Sequence, residues 1–307
     1  MKVLITGGAG YIGSELIQYF IDDNKVVVID NIMYDSTSLL RYASHPNFTF
    51  VRADVRNYEV VKRHMKSSDV IIPLAALVGF PVCERSPKDA KEVNFRANEW
   101  IAEQKSKDQI VIYPCTNSGY GTSGEKVCTE ESPLSPITLY GVTKVQAEDA
   151  FKGVDNHVTF RLATVFGPSS RMRTDLLVNN FVLKALRDKV LVLYECEFMR
   201  NYVHIHDACR AFKHVVDNWD FCKNETHNVG NDEINMNKLQ LAQKIQEHIP
   251  VEIIKAEFTQ DPDKRDYIVS SEKIFKKGFN CCYNLDVGIE QLIKAYDIIE
   301  EPWYANY

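Results

Sequence analysis

The sequence lacks a long apolar segment, an excess of basic residues and any internal repeat. Its longest apolar stretch, residues 70–80, is too short to span a bilayer and contains a proline and a glycine. The 307 residues include 36 Lys and Arg against 42 Asp and Glu, and this balance argues against nucleic acid or an anionic membrane as the main partner. Because residues 1–6 already have the pattern of a strand, we expect no signal peptide.

Cysteine is present, but its spacing does not suggest a metal site or a set of disulfides. The eight cysteines form no CxxC pair, and Cys281 and Cys282 are adjacent. We therefore expect reduced thiols in a cytoplasmic protein, most of them packed in the core. For Cys115 alone, a catalytic role is an alternative to packing in the core.

The first half of the chain alternates short β-rich segments with helical patterns. Strand-like segments cover residues 2–6, 25–30, 48–52, 70–73, 109–113 and 157–161, and helical patterns cover residues 12–21, 36–42, 58–65, 86–105 and 135–152. Since these strands have no polar face, they indicate an α/β fold with a doubly wound parallel sheet that is covered by helices on both sides.

The alternation ends at about Gly167. Helical patterns then cover residues 174–187, 207–219, 236–248 and 287–299, and strand-like segments cover residues 190–194, 202–205 and 252–256. We predict a sheet-forming domain in residues 1–166 and a smaller mixed α/β domain in residues 167–307, with some segments of the second returning to the first.

The segment ITGGAGYIGSEL follows the first strand and opens the first helix. Its Gly7, Gly10 and Gly13 form a GxxGxxG pattern, which permits a tight turn, close approach to a pyrophosphate and close packing of helix on strand. Asp30 ends the second strand, where a carboxylate can accept both hydroxyls of an adenosine ribose and would repel a 2′-phosphate. The sequence therefore predicts NAD rather than NADP as the cofactor.

Further candidate cofactor contacts follow the same strands. They are Tyr11, Ile12, Asn31, Asp54, Val55, Leu74, Ala75 and Ala76. The small side chains after the fourth strand would let the backbone pass close to the cofactor. Asn94, in the next helical segment, is a further candidate cofactor contact. It either tethers these loops or is solvated, and the sequence leaves both open.

The segment LYGVTK places Tyr140 and Lys144 four residues apart, on one face of a helix. Ser135 and Pro136 are expected to begin this helix as its N-cap and first residue. We expect the Lys144 ammonium to favour the phenolate form of Tyr140 and to bring its pKa from about 10 towards neutrality, as a general base requires. Lys144 can also hold the nicotinamide ribose.

With these motifs the chain resembles the extended short-chain dehydrogenase/reductases of the nucleotide-sugar epimerase/dehydratase group. The matching positions run in the family's order through nearly the whole chain: 6–13, 30–31, 54–55, 74–76, 116, 120–121, 140, 144, 161, 167–168, 200–207, 228–230 and 265. The resemblance implies a Rossmann-type NAD domain, a C-terminal domain that binds a nucleoside-diphosphate sugar, and a homodimer.

The resemblance also assigns Thr116 as the third catalytic residue. Its hydroxyl would bond the sugar oxygen while Tyr140 removes the proton and hydride passes to the nicotinamide, giving a keto sugar, at C4 in most relatives. In the 4,6-dehydratases the next two positions supply an acid and a base for elimination. Here they are Asn117 and Ser118, which cannot serve as acid or base at neutral pH.

Two outcomes remain for the keto sugar, namely release, as in a dehydrogenase, or reduction on its other face, as in a C4 epimerase. Segments such as TNSGYG, FRLATVFG and DPDKRDY resemble the dehydrogenases of GDP-linked manno-heptose in capsule pathways. The expectation is therefore a C4 dehydrogenase in polysaccharide biosynthesis, with a GDP-sugar favoured over a UDP-sugar.

Arginines are the candidate partners of the substrate diphosphate, since a guanidinium donates bidentate hydrogen bonds to phosphate. The resemblance assigns Arg200 and Arg265 to the diphosphate and places Arg171 and Arg173 near the base and phosphates. The remaining substrate-binding candidates are Asn117, Ser118, Asn179 and Thr164, the last standing where many relatives have Asn.

Three other roles are alternatives to a nucleotide-sugar enzyme. A metal at His204 and His206, which share a strand face, is not expected. A non-catalytic NAD-binding sensor would not need Thr116, Tyr140 and Lys144. A carbonyl reductase for small substrates would not need the arginine-bearing C-terminal half.

Overall fold

The computed structural model describes residues 1–34, 37–256, 265–299 and Asn306, without the side chains of residues 124–126. The strands are β1 (Lys2–Thr6), β2 (Lys25–Asp30), β3 (Phe48–Arg52), β4 (Val70–Pro73), β5 (Ile110–Thr116), β6 (Thr122–Cys128), β7 (His157–Leu162), β8 (Thr164–Phe166), β9 (Val190–Leu193), β10 (Met199–His204), β11 (Glu225–Val229), β12 (Asn231–Asn237), β13 (Glu252–Lys255) and β14 (Asp266–Val269).

The α-helices are α1 (Tyr11–Leu16), α2 (Tyr58–Met65), α3 (Phe80–Arg85), α4 (Pro87–Lys91), α5 (Ala97–Gln104), α6 (Leu139–Lys152), α7 (Leu177–Arg187), α8 (Ile205–Asp217), α9 (Trp219–Cys222), α10 (Lys238–Gln246), α11 (Glu272–Lys276) and α12 (Leu285–Ile298). Short 3₁₀ helices cover Ile17–Tyr19, Leu40–Tyr42 and Asn117–Tyr120, and a π-helical turn covers Glu92–Arg96. Among the helices described here, none combines the length and apolarity needed to cross a bilayer.

Seven parallel strands form the central sheet, in the order β11-β7-β5-β4-β1-β2-β3. Alternate residues of β2 enter opposite core layers. Val26 and Val28 pack in one hydrophobic cluster with residues of α1 and α8, and Val27 and Ile29 pack in another with residues of α2, α5 and α6. Because both faces are buried, the strands can be apolar throughout. The predicted doubly wound parallel sheet is confirmed.

The outermost strand of this sheet comes from the second half of the chain. β11 pairs in parallel with β7, and the hydroxyl oxygens of Thr226 and Thr159 lie 2.7 Å apart in this pair. Helix α8 packs in the same core as α1. Residues 205–229 therefore return to the first part of the molecule.

Outside the central sheet, the described residues form a three-stranded sheet, β12-β10-β8, and two pairs of parallel strands, β13-β9 and β14-β6. Of these strands, β6 and β8 come from residues 1–166 and pair with strands from residues 167–307. Helices α7, α10 and α12 enclose a second core around Tyr202. The helix that was predicted over residues 236–248 begins only at Lys238, because Asn237 ends β12 and then caps α10 in a capping box with Gln240.

Three other predicted helices differ in the structure. The pattern over residues 36–42 gives only the 3₁₀ turn Leu40–Tyr42, and residue 36 lies outside the described residues. Residues 12–21 give the short α1 and a 3₁₀ turn. The pattern over residues 86–105 gives α4 and α5 joined by the π-helical turn, in which Asn94 lies.

Helix α6, which carries Tyr140 and Lys144, begins later than expected. Its N-cap is Thr138, whose Oγ1 accepts the backbone N–H of Gly141 at 3.1 Å. Ser135 is not the cap. Its backbone N–H instead donates to the carbonyl of Gly119 at 2.8 Å, which holds the segment before α6 against the turn that follows β5.

A buried ion pair fixes α6 on the sheet. Arg161 of β7 donates to Glu148 of α6 at 2.8 Å, and both side chains are almost fully buried. Burial alone would raise the pKa of Glu148, but the Arg161 guanidinium holds that pKa below its usual value. Arg161 also donates to the Tyr120 hydroxyl at 2.9 Å. The guanidinium therefore joins the helix, the sheet and the turn after β5.

Removal of the Glu148 carboxylate should destabilise the fold. We expect Glu148→Ala to lower the free energy of unfolding by about 3 to 5 kcal/mol, because Arg161 would be left buried without its counter-ion. Lys152→Ala is the matched control, since it removes a half-exposed partner of the same carboxylate and should cost at most about 1 kcal/mol. Urea unfolding at pH 7 measures both. Equal losses in the two variants would contradict the role given to Arg161.

Candidate active site

A cleft of about 600 Å³ runs along the carboxyl ends of the central strands and continues between the two parts of the chain. Ligands bind at this edge of open α/β sheets. Of the site residues predicted from the sequence, Asn94, Asn117 and Asn179 do not line the cleft, and all the others do.

The glycine turn after β1 leaves no room for side chains. Gly7 has φ +71°, and a Cβ there would lie 2.5 Å from the backbone nitrogen of Ala75. A Cβ at Gly13 would lie 2.5 Å from the Cα of Gly8. The backbone of α1 therefore packs directly on the glycine turn, and the glycine turn packs directly on the loop after β4. The N-cap Gly10 places no side chain over the first turn of the helix.

Asp30 lies beside this turn. One carboxylate oxygen accepts the Ala9 N–H at 3.0 Å, and the other accepts the Ile32 N–H at 2.8 Å. Burial nevertheless raises the pKa of Asp30. Each carboxylate oxygen has a further lone pair, so the group can still accept ribose hydroxyls. The bare glycine turn and this fixed acceptor fit the pyrophosphate and adenosine ribose of NAD.

The neighbouring loop after β3 is closed by an ion pair. Arg56 donates to both oxygens of Asp54 at 2.8 Å and to Asp89 at 2.7 Å. These hydrogen bonds lower the pKa of Asp54 to about 2. Asn31 also donates to Asp54, at 3.2 Å. Although Arg56 lines the cleft, its guanidinium is held by two carboxylates, so it offers little compensation for a 2′-phosphate near Asp30.

Asn94 supports the cleft from beneath. It is fully buried, and its amide both accepts the N–H of Leu77 at 2.8 Å and donates to the Leu77 carbonyl at 2.9 Å. The loop after β4 is thereby tied to the π-helical turn. Of the two alternatives that the sequence left open, the structure favours the tether.

Tyr140 and Lys144 reach the cleft from the first turns of α6. The Lys144 ammonium lies 4.2 Å from the centre of the Tyr113 ring. Its side chain is 3% exposed, and burial lowers the pKa of Lys144 to about 8, against the opposing influence of Cys115 and Glu148. An ammonium ion so placed is costly to keep charged.

The pKa of Tyr140 does not fall towards neutrality, as was expected from the neighbouring Lys144 ammonium. Burial raises the pKa of the Tyr140 phenol, and the charges that oppose this rise are those of Arg173 and Arg265. The expectation was wrong because helical spacing fixes the face that two side chains share, whereas it does not fix how far each is desolvated. Cys115, the alternative nucleophile, is buried, and its thiol pKa lies well above the usual range. It is therefore poorly suited to attack.

Thr116 ends β5 and caps the 3₁₀ turn that follows it. Its Oγ1 accepts the backbone N–H of Ser118 at 3.1 Å and donates to Ser118 Oγ at 3.0 Å. Asn117 points the other way, towards Asn201 of β10, to which its amide donates at 3.4 Å. Consecutive residues in this turn face opposite sides, and this removes Asn117 from the cleft wall.

Asn179 also acts beneath the surface of the cleft. It accepts the N–H of Gly167 at 3.0 Å and donates to the carbonyl of Arg173 at 2.9 Å. The loop between β8 and α7 is thereby ordered. In that loop Arg173 is paired with Asp175, and Arg171 lies 4.9 Å from the centre of the Tyr34 ring.

Cations also line the part of the cleft built by the second half of the chain. Arg200 lies 5.6 Å from the centre of the Tyr267 ring, and Arg265 donates to Ser118 Oγ. Lys238 was not predicted, yet it lines the cleft, and its ammonium donates to the carbonyl of Tyr194 at 3.0 Å. One feature of the sequence could have identified Lys238 as a candidate. A lysine in the first turn of a helix is opposed by the helix dipole, so a further contact is needed to favour it there.

Comparison with known proteins identifies the family of the chain. The sequence model of the NAD dependent epimerase/dehydratase family matches residues 3–230. The chain is 26% identical to the low-salt glycan biosynthesis protein Agl12 of Haloferax volcanii, over 96% of this chain and 98% of that protein. It is 29% identical to protein CapI of Staphylococcus aureus, over 70% of this chain and 69% of that protein.

Solved structures share the fold. A UDP-glucuronic acid 4-epimerase from Bacillus cereus, in complex with UDP-glucuronic acid and NAD, superposes with a TM-score of 0.87 at 21% identity, covering 97% of this chain and 100% of that one. A dTDP-glucose 4,6-dehydratase from Bacillus anthracis in complex with NAD gives 0.83 at 23% identity, covering 99% and 98%.

Replacement of Lys144 should stabilise the fold. Its folded-state pKa of about 8 lies below the ordinary value of 10.5, so the unfolded chain binds more protons between these pH values and stability should rise with pH across that window. We expect Lys144→Met to raise the free energy of unfolding at pH 7 by about 1 to 3 kcal/mol, a gain that shrinks towards pH 10.

Urea unfolding at pH 7 and pH 10 measures this difference. Lys152→Met, on the exposed side of the same helix, is the control and should give no such pH-dependent gain. A Lys144→Met protein that is less stable than the wild type at pH 7 would show that the buried ammonium is not costly.

Proposed function

Because the chain belongs to the NAD dependent epimerase/dehydratase family, whose solved relatives are NAD enzymes of nucleotide sugars, we propose that it oxidises a nucleoside-diphosphate sugar at C4 to the 4-keto sugar. Tyr140 is the base, Thr116 holds the reacting oxygen and Lys144 orients the cofactor ribose. The favoured substrate is a GDP-sugar of the manno-heptose type, on the resemblance of the segments quoted above. The pathway is that of a capsule or another polysaccharide.

The observation that carries this proposal is the partnering of the cleft carboxylates. Within the described residues, the carboxylates that line the cleft are Asp30, Asp54, Asp89 and Asp175. Each is bonded to an arginine or to backbone N–H groups, as described above. The positions after Thr116 carry an amide and a hydroxyl. This arrangement supports proton removal from a hydroxyl by Tyr140 and gives little support to elimination of water.

The protein prepares the reaction by holding groups in place. NAD, when bound, supplies the nicotinamide ring that accepts hydride. The glycine turn holds the pyrophosphate of NAD, and Asp30 holds its adenosine ribose. The small side chains of the loop after β4 let the backbone of that loop lie close to the cofactor. The Thr116 side chain is held in place by the backbone N–H of Ser118, and its proton turns from Ser118 Oγ to the sugar oxygen when the substrate arrives. Arg173 and Arg265 lower the pKa of Tyr140 against the effect of burial.

The two parts of the chain bind different ligands. Residues 1–166, with the returning residues 205–229, bind NAD, and the rest of residues 167–307 binds the substrate. Arg200, Arg265 and Lys238 surround the diphosphate.

The cysteines are all unpaired thiols, which suits the reducing cytoplasm. We propose that the protein is a homodimer, as the family resemblance implies.

Tyr140→Phe tests the base. We expect turnover to fall by about 10²- to 10⁴-fold because general-base assistance is lost, while the dissociation constant of NAD stays within about 3-fold of the wild type. Absorbance of the reduced cofactor is followed with a panel of GDP- and UDP-sugars. Tyr58→Phe, which removes a hydroxyl outside the cleft, is the control. Unchanged turnover in Tyr140→Phe would show that this residue is not the base.

Redox balance separates the dehydrogenase from the epimerase, which the family also contains. We expect one equivalent of reduced cofactor to accumulate for each keto sugar formed, and turnover to stop when NAD is exhausted. The product is trapped by borodeuteride reduction and examined by mass spectrometry. Multiple turnovers with inversion at C4 and no accumulation of reduced cofactor would favour the epimerase.

A further inference from the structure

Glu15 is a charged residue in a nearly inaccessible place outside the cleft lining. It lies on α1 and is 5% exposed. One of its carboxylate oxygens accepts the backbone N–H of Ser170 at 2.7 Å and the Ser170 hydroxyl at 2.8 Å. Burial of a carboxylate is costly unless the group is well hydrogen-bonded. These two short bonds offset that cost, and they join α1 to a segment 155 residues further along the chain.

The other carboxylate oxygen of Glu15 has weaker partners. It accepts the side-chain amide of Gln18 at 3.2 Å and lies 3.5 Å from the guanidinium of Arg41. Because the Arg41 side chain is 44% exposed, this ion pair contributes little to stability. Arg41 also donates to Ser170 Oγ, but at 3.3 Å. The strong contacts of Glu15 are therefore those with Ser170.

Ser170 belongs to a segment that carries two arginines of the cleft wall. Arg171 follows it directly, and Arg173 comes two residues later. The preceding Ser169 also contacts α1, since its hydroxyl donates to the carbonyl of Tyr11 at 2.8 Å. Ser169 Oγ in turn accepts the N–H of Arg171 at 3.2 Å. Two consecutive serines thus fasten this segment to α1 immediately before Arg171.

The contacts of Glu15 are separate from the other contacts that order this loop. Asn179 bonds the N–H of Gly167 and the carbonyl of Arg173, near the two ends of the loop. Glu15 bonds its middle. Loss of the Glu15 carboxylate would therefore leave both ends in place and loosen the backbone next to Arg171, and such a local loosening need not disturb the rest of the fold.

We propose that Glu15 is a positioning residue for substrate binding. Through Ser170 it holds residues 169–173 on α1, so that Arg171 and Arg173 face the nucleotide part of the substrate. The inference rests on the proposed function, because it requires a nucleoside diphosphate in this cleft. Helix α1 then serves both ligands, since the glycine turn at its start holds the NAD pyrophosphate and Glu15 near its end holds the segment that binds the nucleotide.

The test measures nucleotide affinity and cofactor affinity in the same variant. Calorimetric titration of NAD-saturated protein uses GDP-mannose and UDP-glucose as probes, with GDP and UDP as the sugar-free ligands. For the ligands that the wild type binds, we expect Glu15→Ala to weaken binding of the nucleotide and of its sugar by the same factor, about 5- to 20-fold. The dissociation constant of NAD should stay within about 3-fold of the wild type, because the glycine turn is untouched.

A conservative variant and a matched control sharpen the result. Glu15→Gln keeps an oxygen that can accept both hydrogen bonds of Ser170, and it should bring nucleotide affinity back to within about 3-fold of the wild type. Gln18→Ala removes a partner of the other carboxylate oxygen and should change neither affinity.

A double variant tests whether Glu15 acts through Ser170. In a Ser170→Ala background the Glu15→Ala change should cost less than in the wild type, because one of the two bonds is already absent. If Glu15→Ala does not fold, Ser170→Ala takes its place, with an expected loss of nucleotide affinity of about 2- to 5-fold.

The outcomes are distinguishable. If the wild type binds a nucleotide sugar and Glu15→Ala binds it equally well, the inference is wrong while the proposed function stands. An equal loss of affinity for NAD and for the nucleotide would show that Glu15 only stabilises α1, and a Glu15→Gln protein as weak as Glu15→Ala would show that the bonds to Ser170 are not the cause. Either result would overturn the inference. If none of the four ligands binds the wild type, the proposed function fails, and the inference fails with it.

Discussion

The buried ion pair between Glu148 and Arg161 determines where helix α6 lies, and the candidate site depends on that position. A helix that packs through apolar contacts alone can slide along a sheet, whereas a bidentate pair between two nearly inaccessible side chains permits one register. Arg161 also donates to the Tyr120 hydroxyl, which donates to Asn228 of β11 at 2.6 Å. One guanidinium thus connects the helix with Tyr140, the turn after Thr116 and the strand that returns from the second half of the chain.

A second layer of polar side chains holds the loops from below. The sequence placed Asn94, Asn117 and Asn179 among the ligand contacts, and the structure places all three behind the cleft wall. Asn94 and Asn179 each bond backbone groups of a loop that lines the cleft. Buried backbone groups of these loops that have no backbone partner need a side-chain partner, and the buried amides supply it. Such residues hold the loops in place from outside the cleft lining.

The strands of the central sheet were predictable because burial on both faces leaves a continuous apolar sequence, and the glycine turn was predictable because only glycine fits its geometry. β11 could not be found in this way. Its sequence, ETHNV, is largely polar. The strand is nevertheless buried, because the neighbouring strand offers polar partners such as Thr159, whose hydroxyl lies beside that of Thr226. The start of α6 was misplaced for a related reason. Ser135 and Thr138 are both good caps, and the contact of Ser135 with the turn after β5 decides between them.

The electrostatics of the site were also beyond the sequence, since desolvation depends on the whole surrounding structure. Burial lowers the pKa of Lys144 and raises that of Tyr140, so the protein alone disfavours a phenolate beside an ammonium. Positive charge from outside this pair opposes the rise in the Tyr140 pKa. Arg173 and Arg265 supply part of it, and Arg265 is also bonded to Ser118. A residue that holds the anionic end of a ligand would then act on both the base and the turn that orients the sugar. Under the proposed function, Arg265 would contact the substrate diphosphate while it bonds Ser118 and opposes the rise in the Tyr140 pKa.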